Sequence, residues 1–316
     1  MIHCINKYHS FLINIYFIKQ KLKIDKTNLF MYNIEKVIYM TKLMYIPNKK
    51  ELNNDVDAYL LGIKDLSVNM PIYFTLEEIK NINTDKEIFI SLNKNMHSQD
   101  LKPLEHTLIE LSKLNIKGIF FYDIGILNIV KRLNLDIPLV WAQEHMTTNY
   151  ETINFWYNEG VEYTQVSEEI KEEEIINIKH NTKSKLIVSI LGYFPMFVSR
   201  RHLKQNYLKQ FSLKDNSKIN YIEKEGKIYP IVDEKVTTVY TSSYLNGIKE
   251  FLNFKKENIE YVLINGFLLK EEEKIINMFK TVTNENAEEY NNEISNILDN
   301  NIDTFFLHKD TIYKVK

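Results

Sequence analysis

Short apolar runs in this chain end in polar clusters at a nearly regular interval, and that interval is what most limits its fold. The run ends fall near Asn93, Asp123, Gln143, Ser167 and Gly192, separated by 30, 20, 24 and 25 residues. Each interval has room for one strand, one amphipathic helix and two loops, the repeat of a parallel sheet. Right-handed crossovers turn such a run into either a closed (β/α) barrel or an open doubly wound sheet. No G-x-G-x-x-G or G-x-x-x-x-G-K-[ST] pattern follows any strand, which weakens the nucleotide-binding sheet. The expected class is therefore α/β: a (β/α) barrel of the TIM type, whether complete, incomplete or irregular, with a small antiparallel insert.

Strands are expected at residues 43–46, 58–61, 87–92, 119–122, 138–141, 161–166, 186–191 and 261–265. Helices fill the gaps, one opened by Thr75 with Glu78 three residues later, a capping box. After Tyr207 the rhythm breaks. Residues 219–223, 227–232 and 237–240 read as short antiparallel strands, so an insert is expected over about 209–240. A helix is expected over 242–251, and residues 305–316 carry no assignable pattern. No low-complexity linker divides the chain, so residues 40–316 read as one domain.

With 316 residues, 44% of them apolar and 26% charged, the chain can bury a sizeable core. A formal net charge of −2 argues against a protein coated with nucleic acid or membrane over its whole surface. Cys4 is the only cysteine, so this chain alone builds no disulfide, Cys-ligated zinc site or iron–sulfur cluster. That usage fits a reducing, cytoplasmic setting. Residues 1–39 read as a dispensable extension or a docking helix, with Met40 or Met44 as an alternative start. Their apolar stretch, Phe11 to Ile18, falls short of the roughly 20 residues a spanning helix needs, and no membrane partner is expected.

The segment from Leu186 to Leu208 concentrates the chemistry: an apolar strand, Gly192 and Pro195, then Ser199, Arg200, Arg201 and His202, with Asn206 and Tyr207 one turn later. Strands emptying into cationic turns build ligand sites on the C-terminal face of barrels. The segment resembles the hallmark stretch of the collagenase-like peptidases, peptidase family U-32. Other pieces resemble that family in the same order: Asp57-Ala58-Tyr59-Leu60-Leu61-Gly62, Ser91-Leu92-Asn93 with His97, Asp123, Thr148-Asn149, Phe155-Trp156, and Val166-Ser167-Glu168-Glu169. Together they cover roughly residues 42–240. Where many members place cluster-holding cysteines, this chain has Tyr193, Met196 and His202. The resemblance implies a cysteine-less subunit of a pair that hydroxylates the wobble uridine of tRNA with prephenate as oxygen source. The partner would be a cysteine-bearing paralogue, and any iron–sulfur cluster would reside there. The family name equally implies a collagenase-like protease or hydrolase, and a non-catalytic binding scaffold is a third reading.

Between Met196 and Pro230 stand eight Lys or Arg against three Asp or Glu, interleaved with Phe197, Tyr207, Phe211, Tyr221 and Tyr229. Cations pair with phosphates and rings stack on unpaired bases, so the mixture suits RNA. A solvated insert with a small satellite core would read the same way. Arg200, Arg201 and His202 could instead hold a small carboxylate such as prephenate. Candidate acid–base groups are Glu144, His145, Asp123 and Glu168, and candidate substrate contacts are Asn93, His97, Gln143, Asn149 and the 199–207 cluster. Neither H-E-x-x-H nor G-x-S-x-G is present, and Ser199 near His202 lacks an identified orienting carboxylate. No metal ligand set is assigned, and a divalent metal is unproven.

Overall fold

The computed structural model describes residues 40–143 and 146–309. Among them, eight parallel strands close into a barrel surrounded by helices. In barrel order they are β1 (Lys42–Ile46), β2 (Ala58–Ile63), β4 (Glu87–Leu92), β5 (Gly118–Phe121), β6 (Leu139–Trp141), β7 (Tyr163–Gln165), β8 (Lys185–Gly192) and β14 (Tyr261–Asn265). The barrel is complete rather than interrupted, and a two-residue strand, β3 (Tyr73–Phe74), pairs with the end of β2 outside its circuit. The strand that closes it, β14, follows the insert in sequence and pairs in parallel with both β1 and β8.

Alternation along each strand divides the apolar residues into two sets. One set fills the lumen and includes Met44, Phe89, Phe120, Tyr163, Ile187 and Tyr261. Phe89 is fully buried and meets Phe120, Tyr163 and Tyr261 edge-on, with ring centroids 5.8, 5.8 and 5.2 Å away. The other set packs outward on the helices; there Trp141 stacks on Trp156 of helix Tyr150–Asn158 at 4.0 Å. At the N-terminal end of the barrel, Glu87 accepts from Tyr261 Oη at 2.6 Å and pairs with Lys42 and Lys117 at 3.0 and 3.3 Å. Burial alone would raise the Glu87 pKa, but these donors hold it below the usual carboxylate range.

The capping box at Thr75 forms as expected: its hydroxyl accepts from Glu78 N and Glu78 Oε2 accepts from Thr75 N. The insert is larger than the sequence suggested. Its antiparallel sheet has the order β10 (Ile219–Lys224), β11 (Lys227–Asp233), β12 (Thr237–Tyr240), β9 (Pro195–Ser199). The Pro195 segment, read as a turn, is thus an edge strand, and helix Leu203–Gln210 lies between β9 and β10 in sequence. The helix expected over 242–251 is instead strand β13 (Tyr244–Asn246) followed by helix Glu250–Lys256. The strand wins because it pairs antiparallel with the end of β8 and in parallel with β15 (Ile302–Asp303). No helix of the described residues is long and apolar enough to cross a membrane.

Gly192 ends β8 with φ +127°, and a Cβ there would lie 2.7 Å from both Cβ and O of Asn265 on β14. Both the backbone and the seam therefore require glycine. Gly192→Ala is expected to lose about 2 kcal/mol or more of stability, measured by urea denaturation.

Candidate functional site at the barrel mouth

A cleft of about 610 Å³ opens between the C-terminal ends of the barrel strands and the insert sheet. Lys94, Arg200, His202 and Lys235 line it, together with Asn69, Asn93, Tyr122 and Gln143. The insert is tied across it to the barrel loops by three contacts. Lys235 pairs with Asp65 at 2.9 Å, Thr238 donates to Asn69 Oδ1, and Arg200 donates to Nε2 of His97. Among the described residues no carboxylate pairs with Arg200, whereas Lys94 is matched to Asp100 at 2.9 Å.

The cationic turn is held by Asp233 of β11, whose side chain is wholly buried. Its carboxylate accepts from His202 Nδ1 at 2.9 Å, Gln205 N at 3.0 Å and Thr237 Oγ1 at 3.0 Å. The single Thr237 hydroxyl proton is shared between Asp233 and the Arg201 carbonyl, and Thr237 Oγ1 accepts from Leu203 N. Burial would raise the Asp233 pKa, but these donors outweigh it and hold the group below its ordinary value. Anchoring Nδ1 of His202 leaves its Nε2 for the cleft that the residue lines.

Beneath the cleft, the upper end of the lumen is polar. Ser189 Oγ donates to Glu168 Oε1 at 2.7 Å, and Gln165 Nε2 donates to the same oxygen at 3.1 Å and to Ser189 at 3.3 Å. These groups line a small cavity of about 50 Å³ with Ser91, Asn93 and Asn265. Gln165 and Ser189 thus help orient the Glu168 carboxylate at the barrel mouth.

The other expected site residues divide into four groups. Asn93 reaches both cavities, but its amide is bonded to N and O of Val68, at 2.8 and 3.0 Å, and braces the neighbouring loop. Asp123 caps helix Ile124–Arg132: one oxygen accepts from Gly125 N and the other from Met96 N. Asn149 caps the next helix through Thr152 N, and the Ser199 hydroxyl accepts from Arg201 N. In these three the polar atoms are engaged with backbone, as caps and turns require. Asn206 and Tyr207 lie on helix Leu203–Gln210, where Tyr207 faces a separate groove rather than the cleft. Glu144 and His145 lie outside the described residues. Among the described residues, no three of His, Cys, Asp and Glu group as a metal site would need.

Sequence reading overlooked Lys94, Lys235, Gln165 and Ser189. Of these only Ser189 carries a signal, as the one polar residue in the apolar run 186–191.

A model of peptidase family U32 matches residues 48–314. The chain belongs to peptidase family U32. Among curated relatives it is similar to the tRNA hydroxylation protein P2 of Bacillus subtilis (strain 168). The two are 24% identical over 285 residues, covering 81% of this chain and 92% of that protein. It is also similar to the tRNA hydroxylation protein P1 of the same strain, 24% identical over 140 residues, covering 43% of this chain and 33% of that one. Solved structures that align with this U32 member include oxaloacetate acetylhydrolase, with a TM-score of 0.41 and 7% identity over 83% of this chain and 93% of that one. The alpha subunit of tryptophan synthase from Campylobacter jejuni aligns with a TM-score of 0.39 and 11% identity over 82% of this chain and 96% of that one.

The lowered pKa of Asp233 sets the sign of a pH effect. Its contribution is fully present above the unfolded carboxylate value, about 4, and is lost as pH falls through the lower folded value. Asp233→Asn should abolish this acid-limb dependence, read from stability against pH. It should also speed amide exchange at Gln205 by about tenfold at neutral pH.

Proposed function

We propose that this chain acts in tRNA hydroxylation, as one member of a pair of U32 paralogues. The observation that carries the reading is the match to the tRNA hydroxylation protein P2 along nearly that protein's whole length. The cleft supports it. Arg200, without a carboxylate partner among the described residues, and His202, anchored through Nδ1, offer donors to a small carboxylate at the barrel mouth. Prephenate, a dicarboxylate, is the ligand we assign there, met by Arg200 and His202. Glu168, oriented by Gln165 and Ser189, stands at the mouth as the proton acceptor or donor of the reaction.

The partner we assign is a cysteine-bearing paralogue. A cluster held by four thiolates cannot be assembled from the single Cys4, so redox chemistry through such a cluster would belong to the partner. The setting assigned to the pair is the cytoplasm, where tRNA is modified.

Nucleoside mass spectrometry of bulk tRNA tests the reading, in a strain that carries hydroxylated wobble uridine. Deleting the gene should remove the modified nucleoside and wild type should restore it. Arg200→Ala should restore less than about a tenth of it, the loss expected when a charged hydrogen bond to a carboxylate is removed. An unchanged nucleoside profile in the deletion strain overturns the assignment.

A further inference from the structure

Beside the cleft lies a second cavity, a groove of about 720 Å³ between helix Leu203–Gln210 and the insert sheet. Its walls include Phe197, Tyr207, Tyr221, Ile231 and Val239. Phe211 lies against Tyr207, with ring centroids 4.7 Å apart. A satellite core would bury these rings, yet Tyr207, Phe211 and Tyr221 are 58%, 59% and 61% exposed. They are displayed rather than packed away.

Most of the lysines around the groove are likewise unpaired among the described residues. The elements that wall it, and the turns joining them, carry Lys204, Lys209, Lys214, Lys218, Lys224 and Lys227. Lys204 is paired with Asp215 and Lys218 with Glu234. For Lys209, Lys214, Lys224 and Lys227, all exposed, no ion-pair partner stands among the described residues. Lysine is depleted at the centres of protein–protein interfaces and enriched where phosphate is bound. Open aromatic faces beside unneutralised lysines are the two components of a single-strand nucleic-acid surface. Phe197 completes the geometry, because it lines the groove and also the cleft at the barrel mouth.

We propose that this groove is the docking track for single-stranded RNA, whose bases stack on Tyr207, Phe211 and Tyr221 and which passes a base over Phe197 into the cleft. The assignment rests on the tRNA reading above and adds to it the surface that receives the substrate. Recognition is by stacking and backbone charge, so it selects an unpaired loop over a duplex whose bases are already stacked on each other.

The test is fluorescence anisotropy with the full chain and two labelled RNAs, a stem closed by an unpaired loop and a fully paired duplex of equal length. The loop RNA should bind more tightly. Tyr207→Ala and Tyr221→Ala should each weaken it by about tenfold, while Tyr221→Phe keeps the wild-type value. Lys209→Gln and Lys224→Gln should each reduce the slope of log K against log salt by about 0.7. Circular dichroism melts matching wild type establish that the variants are folded. No RNA binding, or binding indifferent to both sets of substitutions, overturns the track. So do ring variants that leave RNA binding intact but dissolve self-association or binding of a protein partner. If binding fails while the deletion strain still loses the hydroxylated uridine, the track is wrong and the pathway assignment stands. Binding as expected with an unchanged nucleoside profile means the reverse.

Discussion

The architecture depends on one seam. Strand β14 is separated from its neighbour β8 by the whole insert, and the barrel closes only when they pair in parallel from Tyr261–Ile187 onward. Bringing such distant segments together has an entropic cost that local helix–strand repeats avoid. The compensating interactions are concentrated where the two strands end. The register shifts between Leu263 and Ile264, Gly192 lets the chain pass close to Asn265, and Asn265 Nδ2 donates to the Tyr193 carbonyl at 3.0 Å. At that point β8 takes a third partner, β13, which pairs with Leu191 and Gly192 and fixes the direction in which the chain leaves the barrel. The cationic turn that follows inherits its position from this departure. A barrel with a looser seam would leave the insert sheet, and with it Arg200 and His202, without a defined distance from the mouth.

Much of this was legible in the sequence because period and spacing are local properties. The eight barrel strands, the Thr75 box and the three later strands of the insert follow from apolar runs and turn residues. What local pattern missed was decided by partners far away in sequence. Phe197 and Val198 precede the cationic turn, but they form an edge strand because Val239 and Thr238 stand opposite them. Residues 244–246 read as helix, but the free end of β8 claims them.

The site was legible in part, and the failures have a common cause. Polar residues at a strand–helix junction can serve the substrate or the helix that follows, and the sequence is the same in both cases. Asp123 and Asn149 serve the helix, since their side-chain oxygens meet backbone amides of the first turn. Arg200 and His202 follow a strand that ends in the insert sheet, and their turn is anchored from outside by Asp233, which leaves them facing the cleft. Lys235 and Gln165 were invisible for another reason, because only the closed barrel and the folded sheet bring them to the mouth.

The two ends of the insert lie side by side. Phe194 and Thr241 exchange hydrogen bonds, Thr241 N to the Phe194 carbonyl at 2.9 Å and Phe194 N to Thr241 Oγ1 at 3.3 Å. The excursion from Pro195 to Tyr240 therefore leaves and rejoins the barrel through a narrow neck. A segment entered and left at one point can be lengthened, replaced or lost without altering the register of the strands beneath it. The barrel and the insert are thus free to change at different rates. One barrel can keep its strand register while the module above it, which brings Arg200, His202 and Lys235 to the mouth, is refitted.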